Sequence, residues 1–251
     1  MNFNIVTIFP ELIDSYISHG LLAKANEGGL ISVNTWNPRD FSEDRNRRID
    51  DKPFGGGQGM LFQAEPVIKT IEAIKIQDKT HVVFVAPHGK PFDQKTALRL
   101  KNEDNLTIVC GRYEGLDKRI ENSCIDEVIS IGDYVLNGGE LPALVVMETL
   151  SRLQKGFIGN EESLLDSFSE GLLEHPQYTR PEKTIYGDVP EVLLSGNHEL
   201  IKRWKLKESL RITYENRPDM IKEKKLSDIE IELLNEIKDE VRFKNVFLSC
   251  T

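Results

Sequence analysis

Ile131-Gly132-Asp133-Tyr134-Val135-Leu136-Asn137-Gly138-Gly139-Glu140-Leu141-Pro142 follows directly on an apolar run at 127–131 and leads into a helical pattern from about Pro142 to Gln154. A short apolar run, a glycine-bearing loop and an amphipathic stretch together form the repeating unit of parallel α/β sheets. The same unit occurs upstream. Candidate strands at 81–86 and 106–110 lead into Ala86-Pro87-His88-Gly89 and Cys110-Gly111-Arg112-Tyr113-Glu114-Gly115, and further candidate strands lie at 4–9 and 31–36. Helical spacing fills the intervals, with Leu12, Ile13, Tyr16 and Ile17 in one pattern and Val67, Ile68, Ile71 and Ile74 in another. Pro10 and Pro66 fall where a first helical turn tolerates proline. The chain up to about residue 155 therefore reads as an α/β domain with a largely parallel sheet.

Glycine allows close backbone approach and positive φ, which suits loops whose main-chain amides and carbonyls grip a small ligand. Loops after parallel strands are also where α/β proteins bind ligands. Any one of these loops could be only a turn, but three of them follow the strands at 81–86, 106–110 and 127–131. A fourth, Gly55-Gly56-Gly57-Gln58-Gly59-Met60, is richer in glycine still. The usual nucleotide signatures are missing: there is no G-x-x-x-x-G-K-[ST], and Met60 and Phe62 stand where a G-x-G-x-x-G would need its third glycine. No G-x-S-x-G, H-E-x-x-H or spaced Cys/His set occurs, which disfavours hydrolases and metalloenzymes. Cys110, Cys124 and Cys250 form no C-x-x-C pair and read as reduced thiols.

The apolar runs fall far short of the roughly 20 residues that span a bilayer. No leader pattern opens the sequence, so the expected location is the cytoplasm. A formal charge of −9 argues against non-specific coating of nucleic acid, so the local distribution matters. From Gly196 to Lys225 nine Lys or Arg face five acids, net +4, whereas from Leu226 to Glu240 six acids face one lysine, net −5. Gly156, Gly159 and Asn160 mark a linker over about 155–165. Beyond it, Ser195-Gly196-Asn197-His198 precedes a basic helix at about 199–214, and Ser227 caps a second helix carrying Ile229, Leu233, Leu234, Ile237 and Val241. Arg203, Lys207 and Arg211 recur every four residues and share one face of the basic helix, with Trp204 beside them. Like charges at that spacing repel, which fits neutralisation by an external anion or else a solvated face. Arg45, Arg47 and Arg48, balanced by nearby acids, suggest a loop that orders on binding RNA.

Six segments taken in order carry a resemblance: Phe54 to Met60, Cys110 to Gly115, Ile131 to Pro142, Asp166-Ser167-Phe168, His175-Pro176-Gln177-Tyr178-Thr179-Arg180-Pro181 and Leu194 to His198. Together they resemble the bacterial tRNA (guanine-N1)-methyltransferases of the SPOUT class over nearly the whole chain. The resemblance implies a parallel sheet whose C-terminal part is tied in a trefoil knot, plus a small all-helical C-terminal domain. It implies a SPOUT-type cofactor-binding catalytic domain at 1–157, a linker at 158–170 and a tRNA-binding domain at 171–251. S-adenosylmethionine is the expected methyl donor, held by Val85, Ala86 and Pro87; by Gly111, Tyr113 and Glu114; and by Ile131, Gly132, Tyr134, Leu136, Gly138, Gly139 and Pro142. Magnesium is implied as a possible accessory, without a ligand set. The expected assembly is a homodimer whose active site is shared between subunits, with tRNA as substrate and no membrane partner. The expected acceptor is N1 of the guanine at position 37, 3′ of the anticodon, preceded by another guanine.

Guanine N1 carries a proton at neutral pH, so its methylation is helped by a base that removes it while the methyl group is held in line. Asp166 matches the family's general base, although Asp166-Ser167-Phe168-Ser169-Glu170 also reads as a helix start. Arg152 matches a family arginine expected to steady negative charge on the guanine, against the alternative of a solvated residue at a helix C-terminus. Arg203, Lys207, Arg211 and Trp204 are the candidate RNA contacts. A sibling enzyme with another RNA target would lack the Asp166-Ser167-Phe168 segment, a non-catalytic RNA-binding protein would have lost the base or the loops, and a nicotinamide oxidoreductase would need its glycine fingerprint.

Overall fold

The computed structural model describes residues 1–159 and 166–248. The expected linker residues 160–165 and Cys250 lie outside the described residues. Two compact units divide the chain, Met1–Glu161 and Glu162–Thr251.

The first unit is built on a five-stranded sheet in which every neighbouring pair is parallel. Its strands are β1 (Asn2–Val6), β2 (Ser32–Trp36), β5 (His81–Pro91), β6 (Asn105–Cys110) and β7 (Glu127–Ser130); β3 (Asp50–Asp51) and β4 (Leu61–Phe62) make a separate short antiparallel ladder. The spatial order is β2-β1-β6-β5-β7. Both faces of the sheet are covered, which is why the strands read as nearly continuous apolar runs. Alternate residues serve opposite faces. Phe3, Ile5, Val83, Val85, Ile108 and Cys110 pack with α1 (Pro10–Ile17), α2 (Gly20–Glu27), α4 (Gln94–Leu100) and α6 (Glu140–Arg152). Val6, Val82, Phe84 and Val109 pack with α3 (Ala64–Gln77) and α5 (Lys118–Cys124). Each fully buried aliphatic side chain contributes about 1.5–3 kcal/mol relative to exposure. The polar Thr107 is accommodated on the second face by a 2.9 Å hydrogen bond to Thr80 Oγ1.

Two strand ends depart furthest from the sequence reading. β1 ends at Val6 rather than residue 9, because the Thr7 side chain turns inward and its hydroxyl accepts the Phe9 N–H, setting up Pro10 as the first helical residue. β5 continues past residue 86 to Pro91: it leaves β7 after Val85, loops out over residues 86–89 and pairs again at Lys90 and Pro91.

The second unit contains α7 (Glu191–Leu194), α8 (His198–Asn216), α9 (Pro218–Glu223) and α10 (Asp228–Leu248). Asn197 caps α8 by accepting the Leu200 N–H, and Ser227 and Glu230 form a reciprocal capping box at the start of α10. Leu172, Leu210, Leu233 and Ile237 are its buried core. The expectation of an all-helical part is corrected at β8 (Lys183–Thr184) and β9 (Gly187–Asp188), an antiparallel hairpin whose turn Thr184 closes by donating to the Gly187 carbonyl. No helix among the described residues is long and apolar enough to cross a membrane.

Candidate active site

The loops that leave β5, β6 and β7 at their C-terminal ends meet around one cleft of about 540 Å³. Val85, Ala86 and Pro87 line it from the first loop, and Gly111, Tyr113 and Glu114 from the second. Ile131, Gly132, Tyr134, Leu136, Gly138 and Gly139 line it from the third, with Pro142 from α6. Every residue expected to hold the cofactor thus borders the same space. Arg112, Lys118, Glu121 and Asn137 also line it and were not anticipated; Arg112 and Asn137 belong to the same loops, and Lys118 and Glu121 to α5 just beyond the second.

Close backbone contact shapes the walls. The Gly139 N–H donates to the Gly111 carbonyl at 2.9 Å, and a Cβ on Gly139 would lie 2.7 Å from Cys110 Cα. Tyr113 has φ +59°, a left-handed conformation unusual for a bulky residue. It is held there by flanking hydrogen bonds from Glu114 N–H to the Met60 carbonyl and from Gly115 N–H to the Arg112 carbonyl. The first of these ties the glycine-rich segment 55–60 to the back of the cleft wall, although residues 55–60 do not themselves line it. Burial pushes the Cys110 thiol well above its usual pKa, so it is not available as a thiolate nucleophile beside the cleft.

Arg152, the last residue of α6, is exposed and lines an open groove of about 920 Å³. That groove shares Arg112, Leu136, Asn137 and Gly138 with the cleft, so the two are contiguous. Asp166 does not begin a helix. Residues 167–170 form turns, Phe168 has φ +75°, and the Asp166 carbonyl accepts from both the Ser169 N–H and its hydroxyl. The competing reading of Asp166 as a helix cap is thereby removed.

The basic stripe of the second unit is neutralised from within. Arg203 donates to Glu232 and Glu236, Lys207 to Glu236 and Glu240, and Arg211 to Glu240 and Glu208. This corrects the expectation that an external anion balances Arg203, Lys207 and Arg211: they face α10, whose Glu232, Glu236 and Glu240 repeat at the same four-residue spacing. That second stripe was the available signal. Trp204 instead neighbours His175 and Tyr178, each with ring centroids 6.3 Å away. The arginine loop is likewise folded by internal pairs, Arg47 with Asp40 and Arg48 with Asp44.

Hydrogen bonds from Lys207 and Arg211 hold the Glu240 carboxyl below its usual value near 4.5. A carboxylate that titrates lower when folded contributes its full stability above the unfolded value and loses it as the pH falls through the folded one. Glu240→Gln is therefore expected to lower stability at pH 7 by at most about 1 kcal/mol, as its half-exposed side chain implies. The difference from the native chain should shrink between pH 7 and an acid pH at which the Glu240 carboxyl is protonated in the folded chain, because both forms are then uncharged at this site. Denaturant titrations at the two pH values check this; a deficit that persists unchanged in acid would mean the ladder contributes no electrostatic stability.

A family model described as tRNA (Guanine-1)-methyltransferase TrmD matches residues 1–223. The chain is 47% identical over 243 residues to a tRNA (guanine-N(1)-)-methyltransferase of Methylococcus capsulatus, an alignment covering 96% of this chain and 97% of that protein. Identity is 45% over 243 residues to the enzyme of that name from Dictyoglomus turgidum, covering 96% and 98%. For the one from Staphylococcus epidermidis it is 43%, covering 96% and 99%. The match takes in all three strands that end at the cleft and the Asp166 turn, and on that extent and identity the chain belongs to the tRNA (guanine-1)-methyltransferase TrmD family.

Proposed function

We propose that this chain transfers a methyl group from S-adenosylmethionine to N1 of the guanine at position 37 of tRNA. The observation that carries the reading is the convergence of three glycine-bearing loops on one cleft in a chain of this family. The cleft's chemistry suits the donor. Its backbone edges and apolar side chains fit a purine and ribose, while Glu114 and the Lys118–Glu121 pair of α5 line the same space and supply charges of both signs, as a zwitterionic amino-acid tail requires. S-adenosylmethionine supplies an electrophilic methyl group on a sulfonium.

The residues divide the remaining work. Asp166 accepts the N1 proton on a carboxylate oxygen, which makes the N1 lone pair available. Arg152 steadies the negative charge that then develops on the guanine, for which a guanidinium's planar set of donors is suited. The groove it lines leads from the cleft toward a substrate too large to enter whole. Among the described residues, no group of three or more His, Cys, Asp or Glu could hold a metal ion, and no step here runs through magnesium.

The proposal extends to architecture: a SPOUT catalytic part at 1–157 with its sheet end tied in a trefoil knot, a linker at 158–170 and a tRNA-binding part at 171–251. The seating of Gly138 and Gly139 against residues 110–112 supports the threaded arrangement. A homodimer with a shared active site is supported by the groove's apolar rim, where Leu12, Tyr16, Leu21 and Leu141 are exposed. A tRNA substrate places the enzyme in the cytoplasm. The deciding experiment supplies labelled S-adenosylmethionine and a transcript with guanines at positions 36 and 37, and reads the modified nucleoside by mass spectrometry. N1-methylguanosine at position 37 is the expected product; methylation elsewhere, or none with cofactor bound, would overturn the assignment.

A further inference from the structure

Behind the cleft lies a closed set of buried polar contacts to which the methyl-transfer reading gives no role. Glu140, the first residue of α6, is 2% exposed. One carboxylate oxygen accepts from Thr7 Oγ1 at 2.8 Å and the other from Arg112 Nε at 2.9 Å. Thr7 is fully buried just beyond β1 and accepts the Phe9 N–H at 3.0 Å. The Phe9 ring lies beneath the Arg112 guanidinium, 4.6 Å from centroid to Cζ. Arg112 forms an antiparallel bridge with Gly138, and its side chain fills the space that a Cβ on Gly138 would need.

These contacts form a ring. Gly138 is joined through Gly139 to Glu140, Glu140 through its carboxylate to Arg112, and Arg112 through its backbone back to Gly138. The ring therefore clamps the loop 111–115 to the loop 131–139, which are two walls of the cleft, and Thr7 fastens the clamp to the sheet. A buried carboxylate is tolerated only when its partners are in place, so its geometry is over-determined. Buried ion pairs add little stability over apolar residues of the same shape. An apolar residue would cover the start of α6 equally well, but would leave the spacing of the two loops unspecified.

We infer that Glu140 is a positioning residue: through Arg112 it sets the separation of the two loops that would hold the adenosine of S-adenosylmethionine. This rests on the proposed use of the cleft for that cofactor. The test compares Glu140→Gln, Arg112→Met, the double variant and Arg112→Lys. Calorimetric titration with S-adenosylmethionine is read beside thermal melts and steady-state rates. Each single change is expected to weaken cofactor binding about tenfold or more, the loss associated with a hydrogen bond to a charged group. The double variant should bind no worse than the weaker single one, because both break the same contact. The defect should appear in KM for the cofactor rather than in kcat. Arg112→Lys keeps Glu140 neutralised and so should melt like the native chain, yet still lose affinity because an ammonium lacks the planar Nε donor. Native-like affinity in Arg112→Lys and in folded Glu140→Gln would overturn the inference while leaving the function intact. Additive losses that simply track the melting temperature would overturn it too, as a purely structural role predicts them. Failure of the native chain to bind S-adenosylmethionine would instead overturn the functional reading beneath it.

Discussion

Asp166→Ala is expected to slow methyl transfer to guanine 37 by roughly 10²–10⁴-fold, the usual contribution of a positioned general base. The fold should tolerate the change. The Asp166 backbone carbonyl holds the turn by accepting from Ser169, and the neighbouring Ser167 hydroxyl accepts the Glu174 N–H at 3.0 Å. Alanine keeps all of these contacts. Every residue that lines the cleft also stays in place, so affinity for S-adenosylmethionine should remain within about twofold, in line with the near-additivity of separate sites. Initial rates at saturating cofactor and tRNA, paired with a cofactor titration, give both quantities. Rates within a few-fold of native in a variant that binds cofactor normally would remove Asp166 from the chemistry.

Gly139→Ala should abolish cofactor binding altogether. Its Cβ would sit 2.7 Å from Cys110 Cα and 2.9 Å from Gly111 N, both backbone atoms at the end of a central strand. A flexible side chain could swing aside, but a paired strand cannot. The loop must retreat instead, breaking the Gly139 to Gly111 hydrogen bond and opening the cleft wall. Overpacking of this kind costs about 1–3 kcal/mol of stability. The matched control is Gly159→Ala, where nothing lies within 4 Å of the added carbon and stability should change by less than about 0.5 kcal/mol. Denaturant midpoints and cofactor titrations of the two variants test the argument; tight binding by Gly139→Ala would show that the wall is more yielding than its contacts indicate.

The parts of the fold that the sequence disclosed are those governed by local pattern. Val82 to Val85, Leu106 to Cys110 and Val128 to Ile129 are apolar on both sides, and they form the three strands that end at the cleft. Gly111 and Gly132 come just after two of those strands, and Gly138 and Gly139 close the loop before α6, so the cleft itself was legible. What escaped depends on partners far away in the chain. Nothing local in Lys90 and Pro91 indicates that β5 rejoins β7 after its excursion, since neither residue has the character of a buried strand. The Thr7, Arg112 and Glu140 contacts link residues up to 133 positions apart and leave no periodic trace. Arg203, Lys207 and Arg211 were correctly placed on one helix face, but their pairing with the acids of α10 was not foreseen. A stripe of charge specifies only the opposite charge, and both α10 and an RNA backbone satisfy that condition.

The order of strands in the sheet also governs when the molecule can come into being. β1 pairs with β2 some thirty residues later, but on its other side it pairs with β6, with Asn2 opposite Asn105. During synthesis at ~5–20 residues per second, the first strand therefore waits on the order of 5–20 s before that neighbour exists. Pairing over such separations is intrinsically slow to nucleate. In that interval the nascent chain presents Phe3 and Ile5 on an open strand edge, and the cleft gains its last wall only after Pro142 has been made. Aggregation of newly made chains should therefore respond most sharply to changes in β1 and β6, the central pair of the sheet and the one with the longest wait between its members.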